Sequence, residues 1–345
     1  MVNSDEWAVR TLDDEAFLAA AAAAGVHVPL EQSPVWDRFD AVTDGRKHLA
    51  RVAIGPADGS HVALVSLSSY TVRGLPYLWA RHAPIMLVDP TPEAELAVRE
   101  ALVRHCRETW TQVVFLRLHA RHRAPNLRPL LQTVTYDRTV VIDVQRPADD
   151  YLATLSKKFR YTVRQALKHD DVVVADETAD AIRDFSELHA IYAETAERDG
   201  FGIFDAEVYR GMLEALAPHA RAFVARRKSE GDERGTAIAW AIVTDYDGAA
   251  TYVYAGANRE AREADATVRL LWEVLAILRA EGVRTFDMGG VDSDLAPGLA
   301  GVGLFKRKWG SDSAIDPAWD VPVKRPTYAL LVALLRAKRL LKGRR

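Results

Sequence analysis

Four carboxylates and four cations crowd one stretch of this chain, residues 282–312, GVRTFDMGGVDSDLAPGLAGVGLFKRKWGSD. Asp287 precedes Gly289-Gly290, Asp292 and Asp294 follow it, and Lys306, Arg307 and Lys308 stand in a row between Phe305 and Trp309. Carboxylates beside a glycine break can brace the turn, cap the loop or move a proton. Consecutive cations after Gly301 and Gly303 read as an anion-facing segment, because a solvated strand would space its charges on one face with period two. The competing reading is an exposed basic turn pinned by two core aromatics. A second cationic group, Lys157, Lys158, Arg160, Arg164 and Lys168, falls mostly on one broad face of a helix expected over 151–168. Arg198 ends another expected helix, and Arg81-His82 interrupts an aromatic-rich segment just before Pro84. Tyr252 and Tyr254 alternate on an expected strand, so they point one way and line either a site or a core.

Familiar alternatives are missing. No GxSxG elbow, HExxH, GxxxxGK[ST] loop or GxGxxG turn is present, which removes the usual signatures of serine hydrolysis, zinc proteolysis, nucleotide hydrolysis and hydride transfer. The ten histidines are scattered, several among arginines and lysines, so no metal site is expected. The single Cys106 excludes an intramolecular disulfide and fits a reducing compartment. A net charge of −3 gives no bulk attraction to nucleic acid, so any polyanion must meet a local patch. The apolar run from Phe17 follows Asp13, Asp14 and Glu15 where a signal peptide would be basic, and no run reaches membrane-span length.

The elements that must position these groups are legible in outline. At 345 residues the chain suits two domains. Helices are expected at 13–24 and from Ser33 through Phe39, strands at 47–54 and 61–73, a long helix at 91–110 and a strand at 113–118. A strand at 139–144 leads into a second series: the helix 151–168, a strand at 172–175, helices at 178–199 and 207–217, and strands at 220–226, 236–244 and 251–256. The helix 264–282 then delivers the chain to the glycine break. The order repeats, so we read an α+β fold of two similar units, 1–145 and 146–320, with mixed sheets flanked by helices and a basic amphipathic helix at 321–345.

Several stretches carry a family resemblance: Gln32-Ser33 with Trp36, Ala80-Arg81-His82-Ala83-Pro84, Lys158-Phe159-Arg160-Tyr161 with Arg164, and Arg198-Asp199-Gly200-Phe201. Tyr252-Val253-Tyr254-Ala255-Gly256-Ala257, Phe286-Asp287-Met288-Gly289-Gly290-Val291, and Phe305-Lys306 with Trp309-Gly310 complete the set over roughly residues 32–310. In order and spacing they resemble the Fem family of non-ribosomal peptidyltransferases, which move an amino acid from aminoacyl-tRNA to the stem peptide of a peptidoglycan precursor. The resemblance implies tandem acetyltransferase-like (GNAT-like) domains. Departures are specific. Asp40 stands where the family usually has a lysine that meets the precursor's phosphate, which leaves Arg38 or another cation to replace it. Ala83 replaces a glycine, Leu271 a glutamine and Trp309 a phenylalanine; no charged coiled-coil pair is inserted. The Arg/Gln-x-x-Gly-x-Gly loop that holds coenzyme A is absent, so no cofactor is expected and aminoacyl-tRNA serves as co-substrate.

The implied reaction makes chemical demands. Freeing the lone pair of a lysine-type amine near pH 7 costs roughly 4 to 5 kcal/mol, which points to Asp287, Asp292 or Asp294 as carboxylate partner. The donor ester develops negative charge on attack, and Lys306, where the family has its functionally sensitive lysine, with Phe305 beside it, fits that charge or the donor's terminal phosphates. Arg198, Arg160 and Arg164 are candidates for the precursor's diphosphate, Arg38 for the phosphate contact that Asp40 cannot make, Arg81 and His82 for the first unit's groove, and Tyr252 and Tyr254 for lining a site. Expected partners are aminoacyl-tRNA and a lipid-linked or UDP-linked precursor, in the cytoplasm or at the inner membrane face. Residues 327–345 either dock their leucines on the body or lie on an anionic membrane. Two other classes fit the residues: an N-acyltransferase using a small amine and a non-tRNA donor, and a non-catalytic tRNA- or membrane-binding module.

Overall fold

The computed structural model describes residues 7–131 and 135–342. It divides into two compact units, one of residues 1–137 and 315–345, the other of residues 138–314.

The first unit opens with β1 (Trp7–Leu12), α1 (Asp14–Ala23) and α2 (Pro34–Val42). Both helices start where local chemistry favours it. The Asp13 carboxylate accepts from the Ala16 amide, and the Ser33 hydroxyl from Val35 with proline at the first helical position. β2 (Lys47–Pro56), β3 (Ala63–Val72), β4 (Leu75–Trp79) and β5 (Ile85–Met86) follow, then α3 (Pro92–Thr109) and β6 (Phe115–His119).

The second unit comprises β7 (Arg138–Asp143), α4 (Ala148–Thr154), α5 (Lys157–Ala166), β8 (Val172–Asp176), α6 (Thr178–Arg183), α7 (Ser186–Asp199) and α8 (Ala206–Leu216). A meander of β9 (Ala220–Ser229), β10 (Asp232–Tyr246) and β11 (Ala249–Ala257) leads through α9 (Arg259–Glu263) and α10 (Ala266–Ala280) to β12 (Thr285–Gly290), α11 (Ala300–Lys306) and β13 (Asp312–Ala314). The sheet order is β13-β7-β12-β11-β10-β9-β8. On this sheet α10 buries Leu270, Leu271, Val274 and Leu278, and α5 buries Phe159 and Val163.

The chain then returns to the first unit with β14 (Ala318–Pro322) and α12 (Arg325–Lys342). The first sheet runs β1-β2-β3-β4-β6-β14, with β5 paired to β3. A buried ion pair, Arg117 Nε to Asp320 at 2.7 Å, ties β14 to β6, and the Tyr328 hydroxyl donates to the same carboxylate at 3.3 Å.

The α+β class is as read, with corrections in detail. The units divide at Asp137/Arg138 and Ala314/Ile315, not at 145 and 320, because β7 pairs with β12 while β14 pairs with β6. The basic helix is part of the first unit; Gly343, Arg344 and Arg345 lie outside the described residues. The helix expected over 151–168 is two, since Ser156 caps α5 by accepting from the Phe159 amide. The one expected over 178–199 is also two, parted where the Asp184 carboxylate accepts from the Ser186 amide. β1 and β14 were not anticipated: their half-polar sequences become strands only through partners β2 and β6.

Candidate functional site

In the second sheet β11 and β12 run parallel but pair only through Ala249–Thr285, Ala250–Phe286 and Thr251–Asp287. Beyond that point they separate. The cause lies on both flanks: the β10–β11 register shifts between Ile242 and Val243, placing Val253 as an extra residue on β11, and the β12–β7 register shifts after Asp287. The result is an opening at the C-terminal ends of two parallel strands, where backbone groups are unpaired within the sheet.

Lys306 occupies this opening. It is the last residue of α11, and its Nζ donates to the Gly290 carbonyl at 2.9 Å. A Cβ added at Gly289 would meet Nζ at 3.4 Å and the Tyr252 carbonyl oxygen at 3.7 Å, so the Gly289 turn adjoins both the ammonium and β11. Gly289 adopts φ +74°, a conformation that side-chain-bearing residues rarely take. Asp287 Oδ1 holds that turn by accepting from the Gly289 amide at 2.7 Å and from the Thr139 hydroxyl. Burial drives the Lys306 pKa from 10.5 down to about 8, against the opposing charge of Asp287. The outcome is a cation close to its own titration point in a half-buried setting.

The other cations of the row diverge. Arg307 is tied to Asp292 Oδ1 at 2.5 Å and to Asp312 Oδ1 at 2.7 Å, and Lys308 points out near the Phe305 ring at 6.0 Å. The row is therefore not one anion-facing segment, because it lies at the end of a helix that turns successive side chains apart. Asp292 is an ion-pair partner, not a free base; its carboxylate lies where a Cβ on Gly303 would stand, so a side chain there would displace it. Asp294 is exposed. Phe305 is half-buried against the core beside Trp309. Tyr252 packs near Phe286 at 6.2 Å, while Tyr254 packs on Tyr209 at 5.0 Å and Tyr192 at 6.4 Å, so the bulge breaks the shared wall that strict alternation implied.

Two expected phosphate ligands are engaged internally. Arg160 donates to the Ala153 and Leu155 carbonyls at the end of α4, and Arg198 pairs with Asp199 and donates to the Ala257 carbonyl. Arg164 differs. It lies with Lys157, Lys158 and the exposed Tyr161 on the outer face of α5, with Lys168 just past the helix end, and among the described residues these four cations have no ion-pair partner.

In the first unit, Arg81 and His82 point to different places. The Arg81 guanidinium lies 3.8 Å from the centroid of the Trp79 ring and its Nε donates to the Tyr70 hydroxyl at 3.1 Å. His82, at φ +51°, lines a pocket of about 230 Å³ with His119 and Glu95. Burial first, and the nearby His82 second, hold His119 down at about 3. Asp40 is fully buried, with the Tyr70 hydroxyl at 3.3 Å and Arg46 at 4.0 Å. Arg38 is exposed on the other side of α2, so the cations beside Asp40 are Arg46, stacked on Phe39 and Tyr70, and, through Tyr70, Arg81. Sequence reading missed Arg46 and Thr139, because each reaches its partner through strand register or ring stacking and not through spacing. Among the described residues no group of three or more His, Cys, Asp or Glu side chains is placed to hold a metal ion.

Residues 155–296, within the second unit, match the family described as an acetyltransferase (GNAT) domain. The fold is GNAT-like. The crystal structure of FemX is similar over 94% of this chain and 99% of that one, with a TM-score of 0.73 at 17% identity. A tandem GNAT protein from the clavulanic acid biosynthesis pathway matches over 92% and 98% of the two chains, with a TM-score of 0.53 at 12% identity. The C-terminal domain of a protein described as a lysylphosphatidylglycerol synthetase, from Agrobacterium fabrum, matches over 94% and 97%, with a TM-score of 0.52 at 14% identity. No curated protein sequence matches significantly. The Fem resemblance read from the motifs is thus borne out at the level of the fold, and the GNAT-like matches support an acyl-transfer enzyme.

Proposed function

We propose that this protein transfers an amino acid from aminoacyl-tRNA to the side-chain amine of the stem peptide of a peptidoglycan precursor. The observation that carries the reading is the Lys306 ammonium bonded to the Gly290 carbonyl in the opening of a GNAT-like sheet. The amine attacks the ester carbonyl carbon, the C–N bond forms, the ester C–O bond breaks, and the proton lost by the amine ends on the departing ribose oxygen. Lys306 faces the oxyanion that forms on the way. With a pKa near 8 it is also able to give a proton to the leaving oxygen and recover one from the amine. Asp287 acts as a positioning residue that fixes the Gly289 turn and opposes loss of the Lys306 charge.

The unpaired cationic face of α5, with Tyr161 exposed among its charges, suits an extended polyanion such as the donor's backbone. Arg46 and Arg81, stacked on aromatic rings around Asp40, suit the acceptor's diphosphate. A coenzyme A donor is disfavoured because residues 258–265, which follow β11, contain no glycine, where a glycine-rich loop would cradle a pyrophosphate. The test is transfer of labelled amino acid from a panel of charged tRNAs to soluble and lipid-linked precursors. Amide formation that requires both substrates supports the reading. Transfer only from a coenzyme A thioester, or onto a lipid headgroup, contradicts it.

A further inference from the structure

Helix α12 has two apolar faces, and only one is used by the fold. Tyr328, Leu331 and Leu335 are buried at 5%, 1% and 9% exposure against Tyr70, Tyr77 and Phe115 of the first unit. On the outer face Leu330 and Leu334 are 61% and 51% exposed, one turn apart, with exposed Ala329 and Ala333 beside them. A helix docked by one face ordinarily turns charged residues to water on the other. Here no charged residue lies between Arg325 and Arg336.

The charges are gathered at the ends of this strip. Residues 324–345 hold eight Lys and Arg and no Asp or Glu, in a chain whose net charge is −3. Lys324, Arg325 and Arg336 are exposed and, among the described residues, form no ion pair. Arg325 and Arg336 also line a groove of about 710 Å³ beside the helix, together with Arg128 and the apolar Val332. No helix among the described residues is long and apolar enough to cross a membrane.

We propose that the outer face of α12 is a docking surface for an anionic phospholipid bilayer. The helix lies parallel to the surface, with Leu330 and Leu334 in the headgroup–acyl boundary and the flanking arginines on lipid phosphates. Exposed leucines between the cations favour lipid over nucleic acid, whose backbone offers them no apolar surface. The placement does not depend on which acyl acceptor the second unit uses.

Flotation of the full-length protein with phosphatidylglycerol-containing and pure phosphatidylcholine vesicles tests this, with wild type, Leu330→Asp/Leu334→Asp and Arg325→Gln/Arg336→Gln. Wild type is expected to float with the anionic vesicles only and to be released by high salt. Each double variant is expected to lose at least about tenfold in partitioning, with unchanged circular dichroism because the altered side chains are exposed. Equal flotation of wild type and the leucine variant overturns the proposal. So does absence of flotation with a leucine-dependent dimer, which would assign the strip to a second copy of the chain, or retention by a nucleic acid alone.

Discussion

The two units carry the same kind of opening and fill it differently. In the first, β4 and β6 are parallel and pair only at Leu78–Leu116 and Trp79–Arg117, as β11 and β12 do over three pairs in the second. Past β4 the first opening meets bulky side chains. His82 stacks on His119 at 4.9 Å, and Glu95 from the first turn of α3 accepts from the Arg121 and His122 amides. At the end of β12 the second meets two glycines and a lysine. Shared topology therefore sets a lysine beside two glycines at one opening and, at the other, a pocket of about 230 Å³ lined by His82, His119 and Glu95. The lesson is that a sheet opening is a place, while its use is decided by the few residues at the strand ends.

The comparison breaks most visibly at Lys306. Lys306→Ala is expected to lower transfer by on the order of 10² or more with the fold intact, as for loss of one transition-state cation; near-normal turnover would remove it from the mechanism. Next in size is the pH dependence. The kcat/KM profile should fall about tenfold per unit above a limb near pH 8, set by Lys306, and in Lys306→Arg that limb should move beyond the accessible range. The stability consequence has a definite sign. Between about 8 and 10.5 the unfolded chain retains a proton that folded Lys306 has lost, so stability rises with pH through that window. Denaturant titrations of wild type and Lys306→Met across it check this, and a parallel pair of curves would contradict it.

Smaller effects sharpen the contrast. Gly289→Ala forces a side chain into φ +74° and against Nζ, and should cost about 1–2 kcal/mol in thermal unfolding together with a several-fold loss of turnover. Ala or Ser at exposed Gly301 should leave both unchanged. Arg164→Ala is expected to raise the KM for charged tRNA by about two- to fivefold and to flatten its salt dependence, with turnover kept. Arg160→Ala, whose guanidinium caps α4, should instead lower stability.

Much of the frame was legible in the sequence, because long amphipathic helices such as α3 and α10 and the apolar strands β9 to β12 announce themselves by periodicity. The glycine break and Lys306 were legible too, as residue types at a strand end and a helix end. What the sequence did not carry was pairing. The ties of Arg307 to Asp292, of Thr139 to Asp287 and of Arg198 to the Ala257 carbonyl depend on which strand lies beside which, and local spacing is silent on that. Cations of one type thus looked equivalent in sequence, whereas Arg160 and Arg198 serve backbone carbonyls and Arg164 faces water. The return of β14 to the first sheet was hidden for the same reason, since Asp320 finds Arg117 some two hundred residues away in sequence, |i−j| = 203.

On this mechanism the donor's acyl end enters the second opening and not the first. Photo-cross-linking with a tRNA charged with a benzophenone amino acid tests this directly, by mass-spectrometric mapping of the adducts. Adducts on the peptides that carry Tyr252 and Gly289-Gly290, reduced in Lys306→Ala, are the predicted result. Adducts confined to residues 77–86 or 115–120 would contradict it and assign the donor to the first unit.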